Sequence, residues 1–149
     1  MPEQNKKAVE ELFESCFNQG QLQVLDRLLS PDYVGAQGEN GPEAFKRTVM
    51  GLKTAFPDIH YAVNDVVAEG DKVAVRWRWS GTHKGPFRMF APTGKAMTNT
   101  GTAIFQLRDG KIVGANLETD RLGFLQQMEI VPPDAVLLAP RQQARAGNQ

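Results

Sequence analysis

The sequence has few of the residues that build covalent or metal-bound scaffolds. Its 149 residues include one cysteine, Cys16, and two histidines, His60 and His83, which lie far apart. One cysteine excludes an internal disulfide, and two distant histidines without a cysteine cluster do not form a metal-ligand set. We therefore expect neither a metal ion nor another cofactor.

Net charge and long apolar runs are also missing. Seventeen Lys and Arg residues balance seventeen Asp and Glu residues, so the charge predicts no nucleic-acid or membrane partner. No stretch approaches the roughly 18 apolar residues of a transmembrane helix. The opening segment, MPEQNKK, lacks the apolar region of a signal peptide. We therefore expect a soluble, cytoplasmic protein.

The composition suits one globular domain. A hydrophobic content of 41% is high enough for a packed core, and the length fits a single domain. We place this domain at residues 1–130. The remainder, residues 131–149 (VPPDAVLLAPRQQARAGNQ), has three prolines and no apolar period, which predicts an irregular C-terminal tail.

The first half of the chain has the period of helices. Apolar residues recur at helical spacing over residues 4–18, and Gly20 ends this helix. Leucines at positions 22, 25, 28 and 29 predict a second helix that ends at Pro31. A short strand at residues 32–36 follows, and Pro42 and Pro57 mark the start and end of a third helix.

From residue 58 the period changes to two, as in strands. Val73, Val75, Trp77 and Trp79 alternate strictly with other residues. Further strands are predicted at 59–68, 97–108 and 111–119, and a short helix at 120–128. Three helices followed by antiparallel strands define an α+β fold, in which the helices pack on a curved, mainly antiparallel sheet and leave a cavity between the layers.

Several segments of the chain are familiar. The opening FNQGQLQVLDRLLSPDY, the GTHKG turn, the PTGK loop and the DGKIV hairpin resemble the SnoaL-like polyketide cyclases and so-called ester cyclases of the nuclear-transport-factor-two-like superfamily. The resemblance covers residues 5 to 128. It implies a cone-shaped α+β barrel, a homodimer, and a cofactor-independent cyclase or isomerase that acts on a hydrophobic, carbonyl-bearing, polyketide-like small molecule of secondary metabolism.

Asp120 is the catalytic candidate that this resemblance implies. An aspartate after the last long strand serves these cyclases as the acid/base of an intramolecular aldol condensation. Such a group removes a proton next to a carbonyl and then returns one to the new oxyanion, which an apolar pocket favours. The alternative is that Asp120 is the N-cap of the helix that follows it. Glu118, two residues earlier, is a candidate partner carboxylate.

The sequence departs from the family pattern at three positions. Gly35, Ala103 and Ala115 stand where the resemblance implies polar side chains. Because these polar partners are missing, two other functions stay open. One is a non-catalytic small-molecule-binding or interaction module, and the other is an epoxide hydrolase-type enzyme that activates water.

The remaining candidates form the wall or rim of the expected pocket. His83, in the GTHKG turn, is either a catalytic hydrogen-bond donor at the pocket rim or a histidine that holds the turn in place. The stripe formed by Val73, Val75, Trp77 and Trp79 on one strand face is either core or pocket lining. Asn99 and Asn116 can orient a substrate carbonyl or satisfy strand backbone. The other substrate-binding candidates are Tyr33, Phe56, Trp77, Trp79, Met89, Phe90 and Phe105.

Overall fold

The computed structural model describes residues 2–139, which form several helical segments and a five-stranded sheet. The helical elements are α1 (Pro2–Glu11), a π-helical segment (Leu12–Asn18), a 3₁₀ turn (Leu22–Val24), α2 (Leu25–Leu28), α3 (Gly41–Ala55), α4 (Arg121–Gln127) and α5 (Asp134–Leu137). The strands are β1 (Leu29–Val34), β2 (His60–Glu69), β3 (Lys72–Thr82), β4 (Ala96–Arg108) and β5 (Lys111–Thr119).

The strands form one mixed sheet in the order β1-β5-β4-β3-β2. Strands β2 to β5 pair antiparallel with their neighbours, and β1 pairs parallel with β5. The pairing shifts register between Val63 and Asp65 and again after Gln106, and such bulges bend a sheet. This confirms the α+β fold, with a single parallel edge on an otherwise antiparallel sheet.

The predicted first helix is present but changes type halfway. From Leu12 to Asn18 the chain is π-helical, so its turns are wider than those of an α-helix. Phe13 and Phe17 both lie in this segment, and their ring centroids are 4.8 Å apart. The sequence pattern predicts the extent of this helix correctly and does not reveal its π-helical half.

The second helix and the tail differ from the prediction. Leu29 begins strand β1 rather than ending a helix, since its backbone pairs with Ile112 of β5. Within the tail, Asp134–Leu137 form one helical turn, so the tail is not irregular throughout. Residues 140–149 lie outside the described residues. Among the described helices, none combines the length and apolar character needed to cross a membrane.

Phe13 lies at the centre of the core. Its ring centroid is 4.8 to 6.3 Å from those of Phe17, Tyr61, Trp77 and Phe105. These rings come from the π-helical segment and from three strands, and aromatic pairs at such distances stabilise packing beyond their buried area. The helical layer is therefore attached to the sheet through aromatic contacts.

A glycine in β4 makes room for the largest of these rings. Gly101 pairs with Trp77 across the β3–β4 ladder, and a Cβ at position 101 would lie 2.6 Å from Trp77 Cε2. Since real carbon atoms do not approach so closely, the indole needs the missing side chain. Trp77 is 7% exposed in consequence.

We predict that Gly101→Ala destabilises the fold by about 1–3 kcal/mol, because the added methyl group overpacks the core against Trp77. Gly51→Ala is the matched control. Gly51 is exposed within α3 and a Cβ there would meet no atom within 4 Å, so alanine should stabilise the helix by up to about 1 kcal/mol. Urea unfolding of both variants measures the difference, and equal stabilities would contradict this packing.

Candidate functional site

Asp120 lies between β5 and α4 and is exposed. Its side chain is the N-cap of α4, because Oδ1 accepts a hydrogen bond of 2.9 Å from the backbone N–H of Gly123. Its own backbone N–H donates to the carbonyl of Thr100 at 3.2 Å. Among the described residues no donor reaches Oδ2, so one carboxylate oxygen holds the helix and the other is free.

Gly123 determines how close the Asp120 carboxylate lies to the helix. A Cβ at position 123 would overlap Oδ2 of Asp120 and would lie 2.8 Å from its Cγ. Any larger residue would push the carboxylate away from the helix start. The Asp120–Gly123 pair is therefore one structural unit that fixes both the helix and the direction of the carboxylate.

Asp120 opens onto a groove of about 360 Å³ that crosses strands β2 to β5. Glu118 lines the same groove, so the two carboxylates predicted as partners share one concavity. The other lining residues are Asn64, Arg76, Trp77, Thr100, Gly101, Thr102 and Thr119. Of this set, the sequence pattern singled out Trp77 and none of the polar residues.

The charge of the groove is mixed. Arg76 Nε donates a hydrogen bond of 2.7 Å to Asp65, and the two side chains form an exposed ion pair at 2.6 Å. Asn64, between Val63 and Asp65, lies where β2 bulges. A groove with hydroxyl, amide and guanidinium donors and two carboxylates can hold a small oxygen-bearing molecule.

His83 is fully buried and does not lie at a pocket rim, so the expectation of an accessible donor is wrong. Its Nδ1 accepts a hydrogen bond of 3.3 Å from the backbone N–H of Thr93 and lies 3.1 Å from the Thr93 hydroxyl. Its backbone pairs with Lys95 and Gly94. His83 thus holds the PTGK loop, which is the alternative role considered for it.

Thr82, the residue before His83, also fixes the GTHKG turn. Asp58 accepts hydrogen bonds from the backbone N–H and the hydroxyl of Thr82, at 2.7 and 2.8 Å. These bonds hold the pKa of Asp58 below its ordinary value because they favour the charged carboxylate. The GTHKG turn is therefore attached to the rest of the fold on both sides of His83.

Most of the predicted pocket wall is core. Phe56 lies within 6.3 Å of the rings of Trp79, His83, Phe87 and Phe124. Five candidates are at most 7% exposed and pack against other core residues: Tyr33, Phe56, Trp77, Trp79 and Phe105. Trp77 also lines the groove.

The remaining wall candidates are spread over different surfaces. Met89 is 87% exposed, so it is not part of a wall. It sits in a tight turn in which Phe87 and Phe90 pair and Arg88 has a positive φ of 52°. Phe90 is half-buried against the core. Asn116 is exposed, and half-buried Asn99 accepts a hydrogen bond from Thr100 N–H.

A second concavity of about 340 Å³ lies beside the π-helical segment. Phe13 and Tyr61 form its apolar part, and Glu10, Glu14 and Asp65 supply carboxylates. No sequence pattern indicated this concavity, because its wall combines one face of a helix with residues of β2, the strand at one end of the sheet. The single cysteine lies nearby in the core, where burial raises the pKa of the Cys16 thiol to about 11.

The chain resembles a crystal structure of a candidate SnoaL-like polyketide cyclase from Jannaschia sp. CCS1, with 26% identity, a TM-score of 0.79, and coverage of 88% of this chain and 95% of the other. IdmH, a candidate polyketide cyclase from Streptomyces antibioticus, is 29% identical with a TM-score of 0.72, and the match covers 84% of this chain and 98% of the other. AclR, a candidate hydroxylase from Streptomyces galilaeus, is 26% identical with a TM-score of 0.82, and the match covers 99% of this chain and 96% of the other.

These matches place the chain in an α+β class of nuclear-transport-factor-two-like proteins. The model of the SnoaL-like polyketide cyclase family matches residues 7–128, and the chain belongs to this family. Among proteins of curated function, none matches the sequence.

We predict that Asp120→Ala lowers the free energy of unfolding by about 0.5–2 kcal/mol, because the N–H of Gly123 loses its acceptor. Asp120→Asn should change it little, since asparagine caps helices about as well as aspartate. Urea unfolding checks both variants. An Ala variant as stable as the wild type would show that the cap contributes nothing.

Proposed function

We propose that this protein is a cofactor-independent enzyme that removes a proton next to a carbonyl group of an apolar small molecule, with Asp120 as general acid/base. Ring closure or isomerisation of a polyketide-like compound is the reaction class. The observation that carries the proposal is the free Oδ2 of Asp120 at an open groove, while Oδ1 is fixed by Gly123. Membership of the cyclase family supports it.

The reaction uses the carboxylate of Asp120 in two steps, first as a base and then as an acid. Oδ2 accepts a proton from the carbon next to the carbonyl, and the C–H electron pair moves to form an enolate. The enolate carbon then bonds to a second carbonyl carbon, whose oxygen becomes an alkoxide. Asp120 returns the proton to that alkoxide and is regenerated. In an isomerisation the proton returns to another carbon instead.

The other groove residues have supporting roles in this proposal. Thr100 and Thr102 lie beside Asp120 in the groove, and their hydroxyl groups are the donors for the enolate oxygen. Donors already fixed where negative charge develops stabilise a transition state more than mobile water does. Glu118 is the second carboxylate of the same groove.

We predict that the wild-type protein catalyses hydrogen–deuterium exchange at C2 of 1-tetralone in D₂O. This ketone is apolar and has acidic protons only next to its carbonyl, and exchange needs proton removal alone. Asp120→Asn should lower the exchange to the rate in buffer while keeping its stability, because an amide is not a base. Proton NMR follows the loss of the C2 signal.

Asp109→Asn is the matched control for this experiment. Asp109 is exposed in the β4–β5 turn with a positive φ of 52°, a conformation that asparagine also adopts. This variant should exchange 1-tetralone at the wild-type rate. Exchange at the buffer rate in the wild type would overturn the proposal. Binding without exchange would instead favour a non-catalytic binding module, which the missing polar side chains at Gly35, Ala103 and Ala115 also favour.

We also propose that the protein is a cytoplasmic homodimer that pairs through the outer face of its sheet. Val67, Ala74 and Ile104 form an apolar row across β2, β3 and β4 on that face, two residues along β3 and β4 from Arg76 and Thr102 of the groove. Val67 is 63% exposed and Ile104 48% exposed, so a second copy would remove apolar area from water. The free, buried Cys16 is consistent with a reducing compartment.

We predict that Ile104→Lys converts the dimer to a monomer, because two lysines would face each other near the twofold axis without a partner charge. Met50→Lys is the control, since Met50 is 54% exposed on α3 rather than on the sheet. Sedimentation velocity measures the masses. A monomeric wild type, or a dimeric Ile104→Lys, would contradict this interface.

A further inference from the structure

The loop that follows β1 places a carboxylate where a side chain is missing. Gly35 is buried, as is Tyr33 two residues earlier, whereas Val34 between them is 46% exposed. Gly35 and Tyr33 therefore face the same, inner side. A Cβ at position 35 would overlap the carboxyl group of Glu39 and would lie 2.8 Å from Glu39 Cγ. Glu39 occupies the space that a side chain at position 35 would take.

Backbone hydrogen bonds hold Glu39 in this place. Gly35 N–H donates to the carbonyl of Glu39 at 2.8 Å, and Gly38 N–H donates to the carbonyl of Gly35 at 3.0 Å. Val34 and Asn40 form a bridge that closes the loop. Gly38 has a positive φ of 83°, which allows the reversal that brings the glutamate back over Gly35.

One oxygen of this carboxylate has no partner. Oε2 of Glu39 accepts a hydrogen bond of 3.0 Å from the backbone N–H of Gln37. Within residues 2–139, no donor reaches Oε1 and no cation pairs with the half-buried side chain. Oε1 is not buried, so it is a free acceptor that solvent or a ligand can reach.

The phenol of Tyr33 lies near this charge. Burial, with a smaller contribution from the negative charge of Glu39, raises the pKa of Tyr33 to about 12. Tyr33 is therefore a protonated phenol at neutral pH. An acceptor and a phenol on one wall make a polar spot beside the apolar ring of Phe45, whose centroid is 5.7 Å from that of Tyr33.

The neighbouring part of β5 is open. The pairing of β1 with β5 ends at Val34 and Gly114, so residues 115–119 pair with β4 alone. Leu117 pairs with buried Ala103 and so faces the inner side, yet it is 45% exposed. Leu117 is thus an exposed leucine on an uncovered strip of the inner face, three residues beyond the Val34–Gly114 pair after which the Glu39 loop begins.

We propose that Glu39, Tyr33 and Leu117 form a binding subsite for a hydroxyl group on an apolar ring. Oε1 of Glu39 accepts the hydrogen bond of that hydroxyl, and Leu117 contacts the ring. The polar group that the sequence lacks at position 35 is thereby supplied from position 39.

Combined with the proposed function, on which this step rests, the subsite describes the substrate. Gly114 pairs with Val34 beside the Glu39 loop, and Asp120 directly follows β5 six residues later, which at about 3.3 Å per residue is about 20 Å. A substrate that reaches both carboxylates is therefore elongated, with a hydroxyl at the end opposite its reacting carbonyl. It passes the open edge of β5, because Leu117 faces the inner side of the sheet and its neighbour Glu118 faces the outer side.

Two ketones that differ in one donor test the subsite without any turnover. We expect the wild-type protein to bind 6-hydroxy-1-tetralone at least about tenfold more tightly than 6-methoxy-1-tetralone, as a hydrogen bond to a charged acceptor allows. Both compounds are titrated into ¹⁵N-labelled protein by NMR. The amide signals of Gly35, Glu39 and Leu117 should move with the hydroxy compound.

Two variants should abolish this preference by different routes. Glu39→Gln removes the charge, and Gly35→Ala keeps the charge but displaces the carboxylate from its place. Glu43→Gln is the control and should keep the preference, because Glu43 is an exposed partner of Lys46 on α3. Thermal unfolding of each variant shows that it is folded.

Equal affinities for the two ketones, or no movement of the three amide signals with either ketone, would overturn the subsite. So would a preference that survives both Glu39→Gln and Gly35→Ala. The proposed function fails separately. If the hydroxyl preference is present but α-proton exchange stays at the buffer rate, only the role of Asp120 is refuted, and the reverse result refutes only the subsite.

Discussion

The fit of Trp77 against the bare backbone of Gly101 is the contact on which the arrangement of this molecule depends. The missing side chain at position 101 leaves room for the indole, and Phe13 of the π-helical segment contacts that indole with ring centroids 5.4 Å apart. Phe13 in turn contacts rings from β2 and β4. The helical layer approaches the sheet only as closely as these rings allow, so the interior is filled by aromatic rings.

Because the interior is filled, the polar chemistry lies at the margins of the sheet. Asp120 and Glu118 line a groove at the end of β5, and Glu39 lies by the end of β1. Buried His83 is used to hold a loop instead, and its Nε2 has no hydrogen-bond partner among the described residues. Carboxylates near water avoid the large free-energy cost of burial.

Local patterns in the sequence predicted the elements well and the site only in part. The strict alternation from Val73 to Trp79 identified a strand with one buried face, and Asp120 before Arg121 identified a helix cap, since both signals depend on near neighbours. Leu29 was misplaced because its partner, Ile112, is distant in sequence. Met89 followed the apolar composition of its segment, but the turn around Arg88 directs it to solvent. No local sequence pattern identified Glu39, because its position depends on the missing side chain at Gly35.

Three glycines share one feature, which has a consequence for how the family can vary. Gly35, Gly101 and Gly123 each leave a space that a side chain from elsewhere enters, namely Glu39, Trp77 and Asp120. Enlarging one member of such a pair is tolerated only if the other shrinks or turns away, so their mutational effects cannot be additive. Related sequences should therefore change these positions together, and a side chain at position 35 should accompany a different residue at position 39.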